Sequence, residues 1–149
     1  MVHQAKSNKA VVQRFARDAM DPTTGEWNLD VIAEVFDVDR YFSHTWGAGL
    51  AETGRRMAQY FSAFEFIEML NDDFIAEADF VVHRASIRVR HVGEVFGVAP
   101  TNRIVLLHSV EMWRVEDGKI IEHWGGDGEA RSLYNQLTAA SSRHDGIAW

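Results

Sequence analysis

The sequence predicts an α+β fold, a cone-shaped α+β barrel in which a curved mixed/antiparallel sheet wraps around N-terminal helices. Three observations carry this expectation. Helical periodicity is confined to the stretch before Ile67 and to a short closing segment; strand alternation fills most of the chain from Ile67 to Trp124; and Asp117-Gly118, a strong hairpin signal, joins two strand patterns. A sheet curved over helices in this way encloses a cavity.

Val12, Phe15, Ala16 and Ala19 recur at helical spacing with Arg14, Arg17 and Asp18 turned away, which predicts a helix from about Ser7 to Met20. Asp21-Pro22-Thr23-Thr24-Gly25 ends it, because proline disfavours helix in the residue before it. Asn28 is a suitable N-cap for a shorter helix, Leu29 to Phe36. Asp39 to Ala51 reads as an irregular strand and loop rich in aromatics, with Phe42, His44 and Trp46 on one side by alternation. A third helix, about Thr53 to Phe66, follows from the spacing of Met57, Tyr60, Phe61 and Phe64.

Strands then take over, with turns expected at Asn71-Asp72-Asp73, at His91 to Asn102 and at Glu116-Asp117-Gly118-Lys119, where Asp-Gly supplies the positive φ angles of a tight turn. In Phe80 to Arg90, Val81, His83, Ala85, Ile87 and Val89 alternate with Arg84, Ser86, Arg88 and Arg90, so one face is buried. Ile104 to Val115 is apolar on both faces, as for a central strand covered on each side. Glu129 to Ala140 reads as a closing helix, giving one domain over residues 1–140 and a loose tail over 141–149.

A chain of 149 residues fits one core, and 46% hydrophobic with 25% charged residues is a globular composition. The formal charge of -7 argues against nucleic acid as a partner, since phosphate-backbone binding needs clustered cations. Without cysteine there is no disulfide, thiolate nucleophile or thiolate metal site. No apolar run suits a signal peptide or a membrane span, so a cytoplasmic protein with no membrane partner is expected. The seven histidines show no metal-ligand spacing, and neither a phosphate-cradling glycine motif nor a nucleophile elbow occurs.

The order of elements, together with Arg84, the run His91-Val92-Gly93-Glu94-Val95-Phe96-Gly97-Val98-Ala99-Pro100-Thr101-Asn102-Arg103, the run Trp113 to Trp124 and the pair Gln136-Leu137, resembles the SnoaL-like polyketide cyclases of the nuclear-transport-factor-2-like, or ketosteroid-isomerase-like, superfamily. The resemblance spans roughly Asn8 to Leu137. It implies a cone fold, intramolecular aldol ring closure of an aromatic polyketide, one essential acid–base Asp, and no metal or cofactor. That Asp follows the His-Trp pair, and Asp127 matches it. The segment Gly125-Gly126-Asp127-Gly128-Glu129 holds one residue more than the family pattern, and counting back from Gln136-Leu137 points instead to Glu129. Pro100-Thr101-Asn102 replaces the usual Pro-Thr-Gly.

Aldol chemistry needs a base for a C–H next to a carbonyl and an acid for the new alkoxide, and a carboxyl group in an apolar cavity serves as both once burial raises its pKa. Asp127 is the candidate, although Gly-Asp-Gly is also an ordinary turn. His123 shares a strand face with Ile121 and, if alternation continued, with Asp127, so it could orient the acid or polarise a carbonyl. His91 matches a family position and completes the catalytic set. His44, Trp46, Phe61, His108, Trp113, Trp124 and Arg84 are the expected substrate-binding residues. For His44 an aromatic core position is the alternative, for His108 a satisfied core position, and for Arg84, the family's strand arginine, a structural ion pair. The expected partner is a small hydrophobic carbonyl compound, and family habit with an open sheet face suggests a homodimer or homotetramer. Two other functions fit the scaffold. An epoxide hydrolase or isomerase would need a second inward carboxylate, Glu111 or Glu122; a non-catalytic binder would leave Asp127 in solvent.

Overall fold

The structure, a computed structural model, describes residues 2–21 and 26–139, without the side chains of residues 2, 127 and 128. The turn expected at Pro22 to Gly25 and the tail at 141–149 lie outside the described residues. Helix α1 (Val2–Asp18) and helix α2 (Leu29–Val35) precede strand β1 (Phe42–Ser43) and helix α3 (Leu50–Phe61). Strands β2 (Phe64–Glu77), β3 (Phe80–His91), β4 (Ile104–Glu116) and β5 (Lys119–Gly125) lead into helix α4 (Asp127–Thr138). The sheet is open, in the order β1-β5-β4-β3-β2, with β1 parallel to β5 and every other pair antiparallel. The α+β expectation holds; the sheet curves round the helices without closing.

Local chemistry explains the boundaries. Asn28 caps α2 by accepting from the Val31 N–H at 3.2 Å. Asp117 and Gly118 both have positive φ, 50° and 75°, as the two central positions of a two-residue hairpin require. Helix α1 starts earlier than its apolar stripe predicted, because Asn8, fully buried, is an internal anchor: its amide donates to the Ala78 carbonyl at 3.1 Å.

Three expectations are corrected. The third helix does not run to Phe66. It stops at Phe61, and the chain enters β2 with Phe64 still against Tyr60, ring centroids 5.4 Å apart, so a helix-spaced pattern continues across a helix-to-strand junction. No turn forms at Asn71-Asp72-Asp73. Those residues stay in β2, where Asp73 pairs with Arg84 and Asp72 with His83 and Arg17; the hairpin closes later, at Ala78, with φ of 49°. The strand absorbs its irregularity as register shifts after Phe66 and after Met69. Finally, β4 is covered on one face only. Val105, Leu107, Trp113 and Val115 are buried, while Ile104, Val110 and Met112 are exposed on the other side.

The concave side carries two separate cores. In one, Val12 and Phe15 of α1 and Val31 and Val35 of α2 pack on Val81, Trp113, Val115 and Ile120. In the other, Leu133 and Leu137 of α4 pack with Ala63, Val89, Val95, Val105 and Leu107. The space between them is the cavity. Leu133 is fully buried and holds α4 over the sheet, so Leu133→Ala is expected to lower the unfolding free energy by about 2–5 kcal/mol, read as a shift in the urea midpoint.

Candidate active site

The cavity has a volume of about 420 Å³ and a mostly apolar wall, with Phe15, Trp27, Met57, Phe61, Phe96 and Trp113 supplying much of it. That size suits a small polycyclic ligand. The polar groups in the wall are few: Glu129, Tyr60, Glu111, His123, His83, Ser109 and Thr45.

Glu129 sits in the first turn of α4 and faces Tyr60 of α3, whose hydroxyl donates to Oε1 at 2.9 Å. Burial pushes the Glu129 carboxyl up to about 7; the Tyr60 hydrogen bond opposes this and the negative charge of Glu111 adds to it. Burial likewise pushes the Tyr60 phenol up, with the Glu129 and Glu111 charges adding to the effect, so Tyr60 acts as a neutral donor.

Glu111 reaches the same space from the concave face of β4. Its Oε2 meets His123 Nε2 of β5, and His123 Nδ1 lies 3.0 Å from Ser43 Oγ of β1, which itself accepts from the Trp46 N–H at 3.1 Å. A carboxylate only accepts, so the Nε2 nitrogen carries hydrogen, and in a neutral ring Nδ1 then accepts from the Ser43 hydroxyl. Trp113 stacks on the His123 ring at 4.2 Å. Room for this carboxylate depends on Gly125. Its φ of 143° suits glycine, and a Cβ there would collide with the Glu111 carboxylate and lie 2.6 Å from the Val110 carbonyl oxygen. Among the described residues no group of three or more His, Asp or Glu could hold a metal ion.

The structure brings together only part of the predicted set. His123, Trp46, Phe61 and Trp113 line the cavity. Asp127 opens α4, and its side chain lies outside those described; the strand alternation that would have linked it to His123 stops at Gly125. His91 is not in the cavity wall. It is fully buried at the far end of β3, where Nδ1 accepts from the Thr101 N–H at 3.2 Å and lies 3.0 Å from Thr101 Oγ1, holding the loop between β3 and β4. Four more residues lie outside this wall, and two of them, His108 and Arg84, line a second hollow that Glu129 also borders. His44 stacks on Trp124 with centroids 4.6 Å apart and bonds Glu122; His108 bonds Ser86 Oγ at 2.9 Å; and Arg84 pairs with Asp73 at 2.5 Å. Glu122 is outward too, held low by His44 and Arg114, so of the two candidate second carboxylates only Glu111 faces inward. Tyr60 and His83 were legible only as members of apolar faces. Trp27 gave no signal at all.

This fold has counterparts. The model of the SnoaL-like polyketide cyclase family matches residues 10–136, and the chain belongs to that family. No curated protein sequence matches. AclR from Streptomyces galilaeus, a candidate hydroxylase, is 25% identical with a TM-score of 0.69 over 95% of this chain and 87% of its own. A candidate SnoaL-like polyketide cyclase from Jannaschia sp. CCS1 is 20% identical with a TM-score of 0.75 over 92% and 95%. IdmH from Streptomyces antibioticus, a candidate polyketide cyclase, is 23% identical with a TM-score of 0.63 over 87% and 99%.

A carboxyl whose folded pKa lies above its unfolded value favours folding below the unfolded value, and that contribution is lost as pH rises through the folded one. For Glu129 the window runs from 4.5 to about 7, and above it the charged buried group costs roughly 3 kcal/mol. Glu129→Gln removes the titration. Its stability relative to the unchanged protein should therefore rise by roughly 3 kcal/mol between about pH 4 and pH 8, measured by urea unfolding at each pH.

Proposed function

We propose that this protein is a cofactor-independent acid–base enzyme that closes a ring of an aromatic polyketide by intramolecular aldol condensation, with Glu129 as the proton shuttle. One observation carries the reading: a carboxyl group in an apolar hollow, held by Tyr60, with a pKa of about 7. At that value the group is poised both to take and to return a proton near neutrality.

The ionised Glu129 takes the proton from the carbon next to a carbonyl, leaving an enolate. The enolate carbon attacks a second carbonyl of the same molecule, a C–C bond forms, and the C=O π electrons become an alkoxide lone pair. Neutral Glu129 returns its proton to that oxygen. Protons and electrons balance without an outside reagent. Tyr60 supplies a neutral O–H beside the developing charge, and the apolar wall excludes water, which strengthens that hydrogen bond. His123 fixes the Glu111 carboxylate away from the shuttle, where its charge helps keep the Glu129 pKa high.

A second reading, epoxide hydrolysis, is favoured by Glu111 facing the same hollow. Ionised Glu111 would activate water while neutral Glu129 protonates the opening oxygen.

Proton abstraction is measured directly by NMR as α-deuterium exchange of 2-tetralone in D2O. The exchange rate should rise through about pH 7 as Glu129 ionises, fall about 10²- to 10⁴-fold in Glu129→Gln, and persist in Asp127→Asn and Glu111→Gln. Unchanged exchange in Glu129→Gln sinks the assignment, and loss in Asp127→Asn moves it to that residue. With styrene oxide as substrate, a diol yield that vanishes in Glu111→Gln would favour the epoxide reading instead.

A further inference from the structure

One histidine of the cavity wall takes no part in this proton transfer. His83 of β3 is 9% exposed and is the cross-strand partner of Glu111. Its Nε2 lies 2.9 Å from Asp72 Oδ1, and Asp72 Oδ2 receives two N–H donors of Arg17, at 3.0 and 2.8 Å. Because a carboxylate offers acceptors alone, the bridging hydrogen belongs to Nε2, and the neutral ring carries its lone pair on Nδ1. Phe74 fixes the ring plane by stacking at 4.1 Å with planes within 4°, and the Arg17 guanidinium lies over Phe74 at 5.4 Å from its centroid. A ring flip would keep the stack but take Nε2 off Asp72. Among the described residues no hydrogen bond engages Nδ1, and it is not one of the sealed ring nitrogens, in a residue that lines the hollow.

Three elements thus converge to hold one acceptor toward the ligand: α1 through Arg17, β2 through Asp72 and Phe74, and β3 through His83 itself. We propose that His83 is a ligand-positioning residue whose Nδ1 accepts a hydrogen bond from a hydroxyl of the bound ring system, so that the cavity selects hydroxylated polycyclic compounds over their O-methyl ethers. The proposal rests on the reading of the hollow as a polycyclic-ligand site and names the group the ligand presents at this wall. A carbonyl or ether oxygen placed here meets a lone pair, and a site built around a hydrogen bond discriminates against ligands that cannot make it.

Glu111 and Glu129 also accept, so a hydroxyl preference alone does not single out His83. The test uses the full chain at about pH 8, where an ordinary histidine is neutral, with 2-naphthol and 2-methoxynaphthalene as probes. Dissociation constants from fluorescence titration should favour 2-naphthol by about tenfold, and His83→Leu should bring the two probes level, chiefly by weakening 2-naphthol. Long-range ¹H–¹⁵N spectra of the unchanged protein should show His83 as the Nε2–H tautomer, with an Nδ1 resonance that moves on adding 2-naphthol and stays with 2-methoxynaphthalene. These spectra decide the matter if His83→Leu does not fold. Equal binding of both probes, a preference that survives His83→Leu, or an Nδ1–H tautomer overturns the proposal and leaves the Glu129 reading intact. Binding of neither probe overturns it together with the polycyclic-ligand reading of the hollow.

Discussion

Withdrawal of one carboxyl group from water is the constraint on which the site depends. Glu129 is largely withdrawn from water because the protein has two cores instead of one: α1 and α2 fill one end of the concave face, α4 and the segment around Ala63 fill the other, and the unfilled middle is bounded by aromatic rings. A single continuous core would remove the hollow. A wider gap would admit enough water to return the carboxyl to its ordinary range.

Much of this arrangement was legible in the residues, for reasons that can be named. The Asp117-Gly118 hairpin was readable because two successive positive φ angles permit few residue pairs, and β3 because its arginines contrast with its apolar face. In β4 the contrast is missing. Leu106, Val110 and Met112 are as apolar as Val105, Leu107 and Val115, so alternation grouped His108 correctly with its neighbours yet gave no sign that its set faces outward. One carboxylate of that strand, Glu111, ends on the concave side, where its cost is offset by His123. Nothing local marks such a pairing, because the partner lies on another strand.

Edge strand β2 illustrates the same limit. Asn71-Asp72-Asp73 has turn composition, but opposite charges across a ladder hold it extended, with Arg84 on one face and Arg17 and His83 on the other. Acids on an exposed edge also discourage pairing with another chain. His91 shows the limit from another side, since it lies off the cavity wall. A buried histidine that clamps a loop and one that meets a ligand look alike in a sequence, and only Thr101 distinguishes them.

The choice between Asp127 and Glu129 turns on where strand geometry gives way to helix geometry. Gly125 and Gly126, with φ of 143° and 83°, turn the chain from β5 into α4, so the two-residue period ends before Asp127 and the helical period begins. Glu129 falls at the third helical position, where a glutamate often folds back to cap its own helix. Its carboxyl instead meets Tyr60. The partial positive charge at a helix start favours an ionised carboxylate by about 0.3–1 kcal/mol, up to about 2 when partly buried. Desolvation and the Glu111 charge act in the opposite sense, for a net effect of roughly 3 kcal/mol after the Tyr60 hydrogen bond. Burial therefore wins, which is why an acid in the first turn of a helix titrates near neutrality instead of below its ordinary value.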